Sequence, residues 1–487
     1  MPRQPRGALI PALETNFDGD SPLHRQIYGR IRTAVLTGAL PAGAKLPSSR
    51  MLASDIGVSR NTIEEAYGHL ETEGFLVRRT GSGSFVSDTL LHARRVRGGM
   101  SSPTGRRAVS SRGKTMGAQR ACIEPLTARP FVGIPAVEAF PLETWHRLIA
   151  KRARELTHEN LLYGHPAGHP DLRQAIATYL CAARGVHCDA NQVLVLSSSQ
   201  QGLDLAARVL IDPGDDVWME EPGYHGARAA LQACGARTVP VNVDEHGLDV
   251  EEGKRIAPTA RLAYVTPSHH YPLGITMSLE RRLALLEWAR RSGSWILEDD
   301  YDSEYRYCGR PLSSIQGLDT SERVIYIGTF TKVMFPSLRL AYIVVPRDLM
   351  ETFVNARTQI DGHAAPFFQS VLADFMNEGH FGTHVRRMRS LYSARRDVFI
   401  EAAQRELGDM MTMGPTDGGL HAMGFLRFGN DRDAAARAGA RDIHVQPLSR
   451  FYAGGHPRSG LVMGYAGLSP AVIRSALRTL GRAIRSA

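Results

Sequence analysis

The chain is poor in cysteine. Among its 487 residues only Cys122, Cys181, Cys188, Cys234 and Cys308 occur. An odd number, widely spaced, excludes a disulfide framework and zinc-type pairs, and fits a reducing cytosol. Long apolar runs are missing too, and none approaches the roughly 18 residues that a membrane span needs. Arg3 and Arg6 stand at the start, but Gly7 to Leu13 is a poor signal core and charges soon follow, so secretion is not expected. Acidic residues are in deficit: 49 Asp and Glu face 58 Lys and Arg, for a net charge of +9 and a pI near 9.4. That balance favours a polyanionic partner. No internal repeat is visible. What is present, 43% hydrophobic and 22% charged residues, is the composition of a soluble globular protein. The length calls for two or three domains, and the expected location is cytoplasmic.

Three regions separate by composition. Residues 18–87 carry helical patterns and close in a Gly/Ser hairpin. Residues 88–125 are basic and poor in large apolar side chains, with eight Arg or Lys and one acid between Leu90 and Glu124. Such a segment cannot bury a core and reads as a flexible linker. From 126 to 487, short β-branched runs alternate with helical patterns: VLVL at 193–196, DVWM at 216–219, LAYVT at 262–266, SWIL at 294–297 and VIYI at 324–327. That rhythm predicts an α/β body with a mostly parallel sheet.

In the first region, Leu46-Pro47-Ser48-Ser49 reads as a helix entry. Leu52, Ala53 and Ile56 supply the apolar side, and Gly57 the turn. Ser59 then caps a second helix, whose Ile63, Ala66, Tyr67 and Leu70 form a buried stripe at i, i+3, i+4, i+7. Asn61, Glu64, Glu65 and Gly68 fall opposite, on the side a recognition helix shows to a major groove. The two acids there either accept from cytosine N4 or sit at the rim. Two short strands around Arg79-Thr80-Gly81-Ser82-Gly83 make a wing. The combination LPSSR, GVSRNT and GSGSFV resembles the winged helix-turn-helix of the GntR superfamily. The resemblance implies that Arg50 and Arg60 contact guanines or phosphates of double-stranded operator DNA, assisted by Asn61 and Thr62, with Gly81 near the minor groove.

The body offers the parts that pyridoxal 5'-phosphate chemistry needs: an amine, an anion for the ring nitrogen, phosphate donors and a platform. Lys332 follows a strand through Gly-Thr-Phe-Thr, and Arg339 can clamp a phosphate bidentately. Asp299 ends a strand in SWILEDDYD, with Tyr301 two residues on. Ser198-Ser199-Gln200 opens a helix after VLVL, where free amides bind phosphate. Tyr224 in EEPGYHG is placed to stack. These segments resemble fold-type I, class I/II aminotransferases over roughly 126–487. With PSHHYPLG between Tyr224 and Asp299, they most resemble the MocR subfamily of GntR regulators.

The resemblance implies Lys332 as the Schiff-base lysine, Asp299 at the pyridine nitrogen and Tyr301 at the phenolic oxygen. It places Ser199, Gln200, Thr329, Thr331 and Arg339 around the phosphate, and Tyr163 of LLYGHPAGHPDLR in the facing subunit's site. A head-to-tail homodimer is thereby implied, and a regulator that senses pyridoxal phosphate, an amine or an amino acid through an imine at Lys332. A working aminotransferase with a DNA-binding head is the alternative; a body serving only as a dimerisation scaffold is a third. Departures exist. Tyr271 replaces the Asn of an NPTG-like segment, which loosens the case for transamination. His270 stands where these regulators usually carry Gln and is read as structural. A carboxylate-binding arginine is not clear near GLVMGYAGL; Arg450 and Arg458 are the candidates for the effector, with Arg450 preferred.

Overall fold

The computed structural model describes residues 17, 21–88, 109–118, 130–309, 313–454 and 457–485. It divides into two units with the break between Val109 and Ser110.

The first unit contains α1 (Leu23–Thr37), α2 (Ser49–Ile56), α3 (Arg60–Thr72), β1 (Leu76–Arg79) and β2 (Gly83–Val86). The caps are those the sequence called for. Ser48 Oγ accepts from the Met51 amide and Ser59 Oγ from the Thr62 amide, each at 3.2 Å, and Gly57 closes α2 at φ 72°. Each cap satisfies an amide that the first helical turn leaves unpaired, worth about 1 kcal/mol. Ile63, Ala66, Tyr67 and Leu70 are all buried, packed with Ile27, Ile31 and Leu52. Truncating such a core isoleucine or leucine to alanine costs about 2–5 kcal/mol. Val77 lies opposite Phe85 and Arg79 opposite Gly83, so the wing is a regular antiparallel hairpin.

The second unit begins with a helix, Ser111–Ala118, inside the stretch expected to be linker; it lies against the helix His225–Ala233. The rest of that stretch, apart from Asp88, Val109 and Ser110, lies outside the described residues. The main sheet has eight strands: β3 (Val193–Leu196), β4 (Asp216–Glu221), β5 (Arg237–Asp244), β6 (Gly247–Leu248), β7 (Leu262–Val265), β8 (Trp295–Asp300), β9 (Val324–Thr329) and β10 (Ala341–Val344), in the order β3-β10-β9-β8-β7-β4-β5-β6. β9, β8, β7, β4 and β5 run parallel, while β10 is antiparallel to both its neighbours. The five predicted runs are all strands. Most are buried on both faces, which is why they read as continuous apolar runs rather than alternating ones. A smaller antiparallel sheet follows, β11 (Met411–Met413), β12 (His421–Leu426), β13 (Gln446–Pro447) and β14 (Gly460–Gly464), in the order β11-β12-β14-β13. Residues Phe131 and Val132 bridge to Gly464 of that sheet. Under the main sheet, Trp218 of β4 stacks on Trp288 at 3.8 Å between ring centroids and 18° between planes. Their indole N–H groups donate to the carbonyls of Ala257 and Pro258.

Candidate functional site

Open α/β sheets bind ligands beyond the carboxyl ends of their strands, because connecting loops and helix N-termini converge there. Here that edge forms one wall of a cavity of about 320 Å³. β3 delivers Ser198, Ser199 and Gln200; β4 delivers Tyr224; β7 delivers Tyr264 and Thr266; β8 delivers Asp299, Tyr301 and Asp302; β9 delivers Thr329, Thr331 and Lys332. Arg339 enters from just before the antiparallel β10, whose start lies at this same edge. The smaller sheet closes the far side with His421, Gln446, Val462 and Gly464, and the segment Phe131–Gly133 crosses between. All nine residues assigned to the cofactor within one chain (Ser199, Gln200, Tyr224, Asp299, Tyr301, Thr329, Thr331, Lys332 and Arg339) line this one cavity.

The acidic run Glu298-Asp299-Asp300 shows why only one member faces the ligand. Alternate residues of a strand point to opposite faces. Glu298 accepts from the Ile315 and Gln316 amides, and Asp300 pairs with buried Arg184 at 2.8 Å and accepts from the Tyr326 hydroxyl at 2.6 Å. Asp299 points the other way. Its Oδ2 accepts from the Tyr264 hydroxyl at 2.9 Å, while Oδ1 is buried without a partner. Burial pushes its pKa up to about 7, against the opposing Tyr264 hydrogen bond. A buried, half-satisfied carboxylate on a cavity wall is suited to a positively charged N–H donor.

Lys332 donates to the Gly133 carbonyl at 3.1 Å. Burial lowers its pKa, with Asp302 opposing, which makes the free amine, the nucleophilic form, easier to reach. Ser198 caps the helix Ser199–Leu210, its Oγ accepting from the Gln201 amide. Gln200 reaches the Gly226 carbonyl and receives the Tyr224 hydroxyl at 3.4 Å, fixing the platform ring. Thr329 Oγ1 accepts from the Thr331 amide. Arg339 has φ 53°, a left-handed backbone that non-glycine residues adopt at a cost, and its guanidinium has no side-chain partner among the described residues. Helix N-terminus, hydroxyls and uncommitted guanidinium together make an anion cradle.

The residues around these were not singled out from the sequence. Tyr264 buttresses Asp299. Glu220 is buried at the end of β4, its carboxylate accepting from the Thr266 amide and hydroxyl, and burial raises its pKa to about 8. His269 and Asp302 form a buried pair beside Tyr301. His270 does not line the cavity; it is buried, its pKa pushed down to about 3 by burial, and Nδ1 accepts from the Leu273 amide. Tyr271 beside it does line the cavity. Tyr163 is 98% exposed and outside the cavity, its ring edge-on to His363. Arg450 is exposed and also outside the lining, though its charge reaches Tyr271 and His225. Arg458 lies over the Phe425 ring at 3.8 Å.

In the first unit, Arg50, Arg60, Asn61 and Gly81 are exposed and Thr62 half-buried. Arg60, Asn61 and Thr62 open α3, the position from which a recognition helix reads base edges. Glu64 is engaged within the unit. It accepts from Ser49 Oγ at 2.5 Å and pairs with Arg78 at 3.2 Å, tying α3 to α2 and to the wing. The Ser49 hydrogen bond is the main force holding its pKa down. Glu65 turns to His24 of α1 at 3.5 Å.

Residues 23–86 match the model of the gntR family of bacterial regulatory proteins, and residues 136–480 that of aminotransferase class I and II. The chain is 43% identical over 469 residues, 95% of its length and 94% of the relative's, to the probable rhizopine catabolism regulatory protein MocR of Rhizobium meliloti. The chain belongs to the MocR-type subfamily of GntR regulators. The HTH-type transcriptional regulator TauR of Rhodobacter capsulatus is 31% identical over 96% of this chain and 97% of its own. The HTH-type pyridoxine biosynthesis regulator PdxR of Corynebacterium glutamicum is 29% identical over 94% and 95%. The body of this regulator superposes on the α-aminoadipate aminotransferase LysN of Thermus thermophilus, solved with a phosphopyridoxyl-leucine adduct. The TM-score is 0.71 at 29% identity, over 77% of this chain and 97% of that one. It is therefore a DNA-binding transcription regulator with a fold-type I aminotransferase body, of a family that implies pyridoxal phosphate. No helix among the described residues is long and apolar enough to cross a membrane.

Proposed function

We propose that this cytoplasmic regulator couples operator binding to the filling of the Lys332 cavity by pyridoxal phosphate, alone or with a small amine or amino acid. The observation that carries the proposal is the pairing, in one cavity, of a lysine amine with a buried carboxylate oxygen that has no partner. When bound, pyridoxal phosphate supplies an aldehyde for amines and an electron-withdrawing ring. Lys332 is the amine that holds it, and Asp299 accepts from the ring nitrogen and keeps it protonated. Tyr301 donates to the phenolic oxygen, Tyr224 stacks, and Ser199, Gln200, Thr329, Thr331 and Arg339 take the phosphate. Filling the cavity biases the regulator only if two arrangements of the chain bind the ligand with different affinity. Arg450, whose charge reaches the cavity tyrosine Tyr271, is the candidate for an effector's anionic group.

The assembly is read as a head-to-tail homodimer in which Tyr163 serves the facing subunit's phosphate. Leu161, Leu162 and Tyr163 are 73%, 70% and 98% exposed, and three consecutive large exposed side chains support a surface that a second copy covers. On DNA, Arg50, Arg60, Asn61 and Thr62 meet the major groove and Gly81 lies near the minor groove. Transamination is a second reading, favoured by the same Lys332 and Asp299, since the groups for an electron sink are present.

The test is a mobility-shift titration on the regulator's own upstream DNA, with and without pyridoxal phosphate, recording absorption alongside. A cofactor-dependent shift with an absorption band lost in Lys332→Ala supports the reading. A band with DNA binding indifferent to cofactor and amines refutes the coupling and leaves catalysis.

A further inference from the structure

His269 lies just outside the cavity, below Tyr301. Its Nδ1 is 3.1 Å from each carboxylate oxygen of Asp302 and 3.0 Å from the Tyr301 hydroxyl oxygen. One ring nitrogen cannot donate to Asp302 and accept from Tyr301 at once. The surroundings decide between the two. Asp302 is 1% exposed, and among the described residues its carboxylate's only other hydrogen-bond partner is the Leu420 amide, a donor to Oδ2. A carboxylate accepts and never donates, so the proton belongs on Nδ1. The opposite nitrogen agrees: Nε2 is buried without a partner, and a hydrogen there would be a donor with nothing to receive it. The ring is closely held: a Cβ on Gly419 would stand 1.9 Å from His269 Cε1, so only glycine admits the ring there, and His421 packs at 4.9 Å on another side.

The consequence falls on Tyr301. Facing an N–H, its oxygen is an acceptor, and its own hydrogen must point elsewhere. Among the described residues the Tyr301 hydroxyl has no other hydrogen-bond partner, and Tyr301 lines the cavity. We infer that His269, held in the Nδ1–H form by Asp302, is a positioning residue that aims the Tyr301 hydroxyl proton into the cavity, at the anionic phenolic oxygen of the ligand. This rests on the reading that the cavity holds pyridoxal phosphate. With the proton on Nε2 instead, Nδ1 would accept from the phenol at 3.0 Å and draw its hydrogen away from the cavity.

The readout is the pH midpoint of the bound cofactor's visible absorption, measured on the full-length loaded protein. A donor to the phenolic oxygen stabilises the anion, so losing the donor favours the proton-bound form and raises the midpoint. Tyr301→Phe sets the scale, an expected rise of about one unit, tenfold in proton affinity. His269→Leu removes the N–H that aims the Tyr301 hydroxyl, leaves its hydrogen free to rotate, and is expected to give about half of that rise or more. His269→Asn keeps an amide N–H near the Nδ1 position and is expected to restore the midpoint to within about 0.2 unit of wild type. Asp299, Asp302, Lys332, Glu220, His270, His421 and Tyr271 surround the pair; the Leu and Asn variants are both uncharged and keep all seven, so the difference between them isolates the N–H.

A midpoint unmoved by His269→Leu, where Tyr301→Phe moves it, overturns the inference. So does an Asn variant as shifted as the Leu variant, or a Tyr301→Phe protein with the wild-type midpoint. If the wild type shows no cofactor band at all, the cofactor reading itself fails. Should His269→Leu not fold, a neutron-diffraction map of the wild type reads the proton directly. Density on Nδ1 with the Tyr301 hydrogen toward the cavity is the expected result, and a bare Nδ1 refutes it.

Discussion

Removing the charge of Asp299 should make the empty protein more stable and the loaded one weaker. The carboxyl is 6% exposed, and its pKa rises from 3.8 to about 7 in the folded chain. A group that holds its proton more tightly when folded favours the fold while protonated, and the fold loses that advantage as pH climbs from about 4 through 7. Three units at 1.36 kcal/mol each give an upper bound of about 4 kcal/mol above pH 7.5; relaxation and entering water bring a realistic figure to about 2 kcal/mol. Asp299→Asn keeps an acceptor for the Tyr264 hydroxyl and removes the charge. In cofactor-free protein at pH 8, its melting transition is therefore expected several degrees above wild type, and at pH 5 the gap should have shrunk to about a third. Glu220, Glu298 and Glu304 are also raised, to about 8, 7 and 7, so wild type alone would show a mixed pH dependence. The difference between the two proteins isolates Asp299. Cofactor affinity should move the opposite way, falling about 10- to 150-fold with the loss of a charge-assisted hydrogen bond of about 1.5–3 kcal/mol. Calorimetry across pH and a cofactor titration measure both. An Asn variant no more stable than wild type at pH 8 would refute the argument that this oxygen is a buried charge awaiting a partner.

Lys332→Ala should abolish the cofactor's visible band and its trapping by borohydride while the melting point changes little, since among the described residues the amine makes one hydrogen bond, to Gly133. Arg60→Ala should weaken operator binding by about 5- to 150-fold, the worth of one good base contact, and leave the cofactor spectrum untouched in the same preparation. Glu64→Ala should cost under about 1 kcal/mol of stability, because the pairs it makes are solvent-exposed, yet lower operator affinity by releasing Ser49 and Arg78; mobility shift reads this. Tyr163→Ala should weaken cofactor retention or dimerisation without altering the circular dichroism, a comparison made by sedimentation and dialysis.

Much of this architecture was legible because it is local. The caps at Ser48 and Ser59, the stripe through Leu70 and the five strand runs each declare themselves within a dozen residues. The nine residues assigned to the cofactor line one cavity because strands of a parallel sheet end at one edge, so residues just after apolar runs converge. What sequence could not show was pairing across distance. Tyr264 sits in the middle of an apolar strand run and reads as core, and only the parallel register of β7 with β8 brings its hydroxyl to Asp299. Glu298, Asp299 and Asp300 are one acidic run in sequence and three different environments in space. Glu64 illustrates another limit: a helical wheel gives the direction of its Cβ, whereas the long side chain folds back to Ser49 and Arg78. The segment Phe131–Gly133 meets Lys332 from about 200 positions away, with no local signal. The helix Ser111–Ala118 escaped notice because a basic, glycine-containing stretch has no apolar stripe, and its contact with the helix His225–Ala233 is invisible to composition.

The four tryptophans, Trp145, Trp218, Trp288 and Trp295, all belong to the second unit and are all buried, while the first unit has none. Trp295 lies four residues before Asp299 on the same strand, and the Trp218–Trp288 stack sits beneath the sheet that carries the cavity. Indole emission overlaps the near-ultraviolet and violet absorption of a pyridoxal chromophore. Loading can thus be followed by the dimming of the protein's own fluorescence through energy transfer, without a dye or a label. DNA added in the same cuvette has no tryptophan in the first unit to quench directly. Any change it causes in the emission must originate in the ligand-binding unit, so a single optical signal can report on communication from operator to cofactor.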